Sequence, residues 1–194
     1  MANATVTFTC GHHETVTGRN RAEAARKVKW LTEKGGMCRD CEYAATISLA
    51  HEAARTNGWP ALHGQSTKQV DFAAVKRAEA LKALPVLLSG ISAVADGWRD
   101  TVAEAVAGEL PDLYRLAVYD AGAAILHSAP TEADARFWLD SDLIDRVASV
   151  LSETMIGHAK ALAAEGLIDQ RTRDFWMRLK NVSDVRSSLR SVHL

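Results

Sequence analysis

Thr9-Cys10-Gly11-His12-His13, answered further along by Met37-Cys38-Arg39-Asp40-Cys41, holds all three cysteines of the 194-residue chain and two of its seven histidines. Three thiolates and one imidazole close a tetrahedral zinc site, with Zn–S near ~2.3 Å and Zn–N near ~2.0 Å, and a Cys-x-x-Cys turn supplies two corners of it. Cys38 and Cys41 are that pair, and Cys10 is the third sulfur. His12 is the favoured fourth ligand, because Cys-x-His with the small Gly11 between repeats the spacing of the pair; His13 competes with it. An odd cysteine count in this spacing is a poor disulfide set and a good metal set. Four protein ligands leave no coordination position for water, so the expectation is structural Zn2+ and no enzyme.

Outward from the first cysteine, Ala4 to Thr9 alternate, with Val6 and Phe8 on one face and Thr5, Thr7 and Thr9 on the other, the period of a half-buried strand. After the turn at Cys10-Gly11, Glu14 to Gly18 return as the second strand of a hairpin too small to stand without metal closure. Arg21 to Lys34 read as a helix, with Ala22, Ala25, Val28, Leu31 and the Lys29 stem near one face and Trp30 beside it, stopped at Gly35-Gly36. A further helix runs from about Asp40 through Ala44, Ile47, Leu49 and Ala53 to an αL stop at Asn57-Gly58.

Beyond this, Trp59 to Gln65 read as a loop, and Ser66-Thr67-Lys68-Gln69 as a capping box that starts a helix carrying Val70, Phe72, Ala73, Ala74, Val75 and Leu81 inward. Pro85 marks a restart or kink; Val86–Ala95, Gly97–Val106, Leu113–His127 and Glu132–Leu139 follow as helical pieces. Asp140-Ser141 are expected to cap the strongest helix, which carries Leu143, Ile144, Val147, Val150, Leu151, Met155, His158 and Leu162 at helical spacing and ends at Gly166. Asp169 caps a last helix through Phe175, Trp176 and Leu179. The expected fold class is mostly α: a small N-terminal zinc-bound β-hairpin/helix module, zinc-ribbon-like, over residues 1–58; a linker loop and connecting helix over 59–84; and a helical domain over 85–194. The apolar stripe of 142–162 either closes an intrachain core or seals a homodimer.

Phe8-Thr9-Cys10-Gly11-His12, the basic helix and Cys38-x-x-Cys41 resemble a group of small zinc-binding proteins of Gram-positive bacteria, their phages and mobile elements. The likeness continues through Trp59-Pro60-Ala61-Leu62-His63-Gly64 and Ser66-x-Lys68-Gln69-Val70 to Ala73 and Arg77, and returns faintly at Ala135 to Asp140. It covers roughly residues 4–84, and what it implies is zinc and a style of fold rather than an activity.

Charge divides unevenly: 12 Lys+Arg against 8 Asp+Glu in residues 1–84, and 11 against 16 in residues 85–194. The candidate contacts to nucleic acid or another partner are Arg19, Arg21, Arg26, Lys27 and Lys29 (with Lys34 and the aromatic Trp30 nearby), together with Lys68 and Gln69 on the first turn after the capping box. Ser66 reads as a cap rather than a nucleophile, His127 and His158 as packed groups, and Asp140, Asp142 and Asp145 as carboxylates at a helix start. No leader with a basic and then an apolar region opens the chain, and no apolar run reaches membrane-spanning length, so the expected compartment is the cytoplasm, with no membrane partner. The resulting expectation is a non-enzymatic binding adaptor that contacts nucleic acid or a nucleic-acid-associated protein complex. The alternative, resting on the resemblance, is a phage or mobile-element protein that inhibits a host defence or replication complex.

Overall fold

The computed structural model describes residues 1–33, 36–140, 142–179 and 181–191; Lys34, Gly35 and Ser141, named above, lie outside them, as does the side chain of Leu179. The chain forms two compact units, Met1–Glu52 and Ala53–Leu194, and is mostly helical after a short hairpin.

In the first unit, β1 (Ala2–Thr7) and β2 (His13–Gly18) pair antiparallel in the register Ala2↔Gly18 to Thr7↔His13. The alternation is present as expected: Val6 and Phe8 are buried, while Thr5, Thr7 and Thr9 face out. At the turn Gly11 adopts φ +80°, a left-handed conformation that favours glycine, and the Phe8 amide donates to the His12 carbonyl at 2.9 Å.

Helix α1 (Arg21–Glu33) packs on both strands. Its start is a reciprocal cap: the Asn20 side chain accepts from the Glu23 amide at 2.9 Å, and the Glu23 carboxylate accepts from the Arg19 amide at 3.0 Å. The buried residue is Ala24, with Val28 and Leu31 half-buried; Ala22, Ala25 and Lys29, expected on this face, are exposed. The rotation follows from Gly18. A Cβ there would lie 2.5 Å from the Ala24 amide nitrogen, so strand and helix touch backbone to backbone and Ala24 is drawn in. Helix α2 (Arg39–Thr56) buries Ala50 and Ala54 and half-buries Ile47, whereas Ala44 and Leu49 (71% exposed) point to solvent. Gly58, at φ +65°, stops it.

Residues 59–65, read from the sequence as part of a linker, lie within the second unit. They are tied down: His63 bridges to the segment before α6, its amide donating to the Ala133 carbonyl and its carbonyl accepting from the Ala135 amide, each at 2.9 Å. Helix α3 (Thr67–Lys82) places Ala73 and Leu81 in the main core, while Phe72, expected inward, is 46% exposed. Pro85 opens α4 (Leu84–Ala103), which passes unbroken through Gly97, where a helix start was expected. Then come α5 (Leu110–Ser128), a 3-10 turn (Ala129–Thr131), α6 (Ala135–Asp140), α7 (Leu143–Ala164), α8 (Gln170–Leu179) and α9 (Val182–Ser191).

Helices α4, α5, α7 and α9 pack into one core around Trp98, Leu87, Ile91, Leu151 and Met155. Gly122 permits the closest approach: a Cβ on it would meet Leu151 at 2.9 Å and Ile91 at 3.0 Å. The α7 stripe (Leu143, Val147, Leu151, Met155, Leu162) is buried inside the chain, so a homodimer through 142–162 would have to use the opposite, polar face of that helix. Asp142 caps α7, accepting from the Ile144 amide at 3.1 Å; of the expected pair Asp140-Ser141, Asp140 ends α6 and Ser141 lies outside the described residues. No single helix among the described residues is long and apolar enough to cross a membrane; α3 and α4 have that composition only as a pair bent by 56°.

Candidate metal centre

The hairpin end and the α1–α2 connection meet at Thr9. Its amide and its hydroxyl both donate to the Gly36 carbonyl, the hydroxyl at 2.6 Å. Gly36 adopts φ +77°, with no room for a Cβ beside Thr9, and the chain turns there into Met37-Cys38. Thr9 offers the metal group no ligand atom. Its part emerges only when two segments distant in sequence are brought together, which no local pattern reports.

This latch sets Cys10 against Cys38. The Cys38 amide donates to the Cys10 sulfur at 3.3 Å, and the Cys41 amide to the Cys38 sulfur at 3.5 Å, the amide-to-sulfur bonds of a knuckle turn. His12 Nδ1 lies 3.4 Å from Cys38 Sγ and 3.2 Å from Cys41 Sγ. One ligand atom from each of Cys10, His12, Cys38 and Cys41 falls within 4.8 Å of all the others. Corners of a tetrahedron around an ion with bonds of ~2.0–2.3 Å lie about 3.5–3.8 Å apart, so the group has the size of a metal site. His13 is elsewhere: its Nδ1 sits 2.9 Å from Thr7 Oγ1 on the hairpin.

The electrostatics ask for a cation. Hydrogen bonds from the Cys38 and His12 amides bring the Cys10 thiol down to about 6, whereas the neighbouring Cys38 sulfur, together with burial, pushes Cys41 up to about 11. Three sulfurs this close resist ionising together, and a divalent ion at their centre reverses that balance. The residues present therefore fit a metal.

The other candidates fall in separate places. On the first unit Arg19, Arg21 and Arg26 are exposed. Lys27 is partly spent, donating to the Thr17 carbonyl at 2.8 Å and pairing with Glu23 at 3.3 Å; Lys29 pairs with Glu33 at 3.7 Å. Counted by unit, Met1–Glu52 holds seven Lys+Arg against six Asp+Glu, so the basic excess of residues 1–84 is not concentrated in the lobe that carries the metal group. On the second unit Lys68 is exposed, but Gln69, expected to be free for a partner, is half-buried and engaged. Its amide donates to Ser66 at 3.2 Å and its side-chain oxygen accepts from the Gln65 amide at 2.7 Å.

The acidic cluster is met by arginines of α9, Asp145 by Arg186 at 2.6 Å and Asp142 by Arg190 at 3.9 Å. His127 is exposed rather than packed. His158 is packed as expected: Trp98 donates to its Nδ1 at 3.2 Å, and Tyr114 stacks on it with ring centroids 4.1 Å apart. Arg77, only 2% exposed, carried no functional expectation; it donates to the Pro60 carbonyl at 2.8 Å and lies over the Trp59 ring. Comparison of the chain with protein-family models, with curated proteins and with solved structures finds no match.

Proposed function

We propose that the chain is a non-enzymatic binding adaptor whose first unit is held in shape by structural zinc. The observation that carries this reading is the group of three sulfurs and one ring nitrogen within 4.8 Å of one another, a closed set of four protein donors. Soft thiolates with an imidazole in a tetrahedral set suit zinc far better than a hard, oxygen-seeking cation. When bound there the ion supplies folding energy and fixed geometry, and thiols kept reduced for it belong to a compartment such as the cytoplasm.

The exposed Arg19, Arg21 and Arg26 then form a rigid basic edge for nucleic acid or for a protein complex assembled on it. The near balance of charge in Met1–Glu52 makes such a contact local, involving few phosphates and therefore a shallow salt dependence. The experiment pairs zinc quantification with capture. Folded wild type is expected to carry about one zinc per chain, and zinc-loaded protein to retain oligonucleotide or a protein complex from lysate. Charge reversal at Arg19, Arg21 and Arg26 is expected to release the oligonucleotide. A metal-free, fully folded wild type, or a zinc-loaded protein that captures neither class, overturns the reading. A protein partner that persists after nuclease treatment, with no oligonucleotide bound, favours the inhibitor instead.

A further inference from the structure

Next to the metal ligands, the first unit has a cleft of about 440 Å³, open to solvent. Phe8, Trp30 and Met37 give it aromatic and apolar wall; Glu14 of β2 and Glu42 of α2 give it two carboxylates; Arg39 is the one cation among the described lining residues. Phe8 is buried, while Trp30 is 55% and Met37 45% exposed. Among the described residues neither the Glu14 nor the Glu42 carboxylate has a hydrogen-bond or ion-pair partner, although other surface carboxylates of this unit, Glu23 and Glu33, are paired with lysines. A volume of this size takes one large side chain or a small ligand, not a domain.

The lining selects by charge and by shape. An indole face attracts a cation, carboxylates hold a guanidinium through paired hydrogen bonds, and apolar walls cover a methylene stem. A phosphate would meet two unpaired carboxylates beside a group of three thiolates whose charge a dication leaves at minus one. The geometry points to this cleft as a recognition pocket for the arginine side chain of a basic protein segment. This rests on the adaptor reading and names the chemistry of its protein partner: segments of that kind are what nucleic-acid-associated proteins present. The pocket is built on the metal turn itself. Met37 precedes the ligand Cys38, Arg39 lies between Cys38 and Cys41, and Glu42 follows Cys41.

The test uses full-length, zinc-loaded protein and a fluorescein-labelled octa-arginine peptide. Binding is read by anisotropy and by the indole N–H signal of Trp30, assigned through Trp30→Phe. Expected are saturable binding, a shift of the Trp30 signal, and affinity about tenfold weaker in Glu14→Gln/Glu42→Gln. The Glu33→Gln control, whose carboxylate faces Lys29, should bind like wild type, and Arg39→Glu should bind more tightly. Zinc content is measured on every variant, so a misfolded one is recognised and Arg39→Glu carries the comparison in its place. No saturable binding by zinc-loaded wild type, equal weakening in Glu33→Gln, or a Trp30 signal that moves with (dT)20 and not with the peptide would overturn the pocket. Peptide binding with no oligonucleotide binding removes the basic-edge contact and leaves the pocket standing; the opposite pattern removes the pocket and leaves the edge.

Discussion

Two backbone amides and one threonine set the geometry of the metal group. The Cys38 amide reaches the Cys10 sulfur, the Cys41 amide reaches the Cys38 sulfur, and Thr9 fixes Gly36 so that both can do so. Cys38→Ser removes a ligand together with the sulfur that faces both His12 and Cys41, so zinc content is expected to fall from about one per chain to nearly none, whereas His13→Ala keeps it; elemental analysis of purified protein checks both. Gly18→Ala sets a methyl 2.5 Å from the Ala24 backbone, which cannot swing aside as a side chain would. A destabilisation of about 1–3 kcal/mol, confined to amide exchange within Met1–Glu52, is the expected result. At this scale the ligands were legible, because coordination chemistry ties residue type to spacing. Gly18 and Arg77 were not. The need for the one, and the burial of the other, are set by what comes to lie against them from another segment.

Element by element, packing outweighs surface charge. Helix α9 was missed from the sequence because Val185 and Leu189, the two residues it buries, are too few to make a periodic pattern among serines and arginines. Leu189 lies against Gly90 of α4, and Leu189→Ala leaves a void there, so a loss of about 2–5 kcal/mol is expected by denaturant unfolding. Arg186→Ala breaks a partly exposed pair with Asp145 and should cost below about 1 kcal/mol in the same measurement. The α7 stripe, in contrast, was plain from sequence, since six buried positions, Leu143, Val147, Leu151, Met155, Ala159 and Leu162, recur at three- and four-residue intervals along twenty-two residues.

On that helix, burial holds His158 below its ordinary range, and its ring faces the Trp98 N–H, Tyr114 and, near Tyr114, Glu165. The neutral ring accepts the indole proton; the protonated ring has no lone pair to offer. An imidazole kept neutral in the fold leaves its stabilisation intact above the unfolded value of about 6.5 and loses it as pH falls through the lower folded one. The melting temperature should therefore drop between pH 7.5 and pH 5, and drop less in His158→Gln, as read by circular dichroism.

The whole molecule is a pair of units stabilised by different means. Met1–Glu52 has few buried side chains and a metal group; Ala53–Leu194 has the continuous apolar core. Chelation is expected to abolish amide protection in the first and leave it in the core helices of the second, α4, α5 and α7, as read by hydrogen exchange; uniform loss across both would contradict that division. The mostly α class, with a short N-terminal hairpin carrying a Cys/His group, was legible because each part follows from a local pattern. The reading of 59–65 as linker was not, because the bridge from His63 to the α6 segment joins residues some seventy positions apart. All four ligands lie within the first 41 residues, while the helical core draws on residues from Ala73 to Leu189. During synthesis the hairpin lobe can thus capture its ion well before the helical core is complete, and the helices must wait until α9 has been made before they can settle.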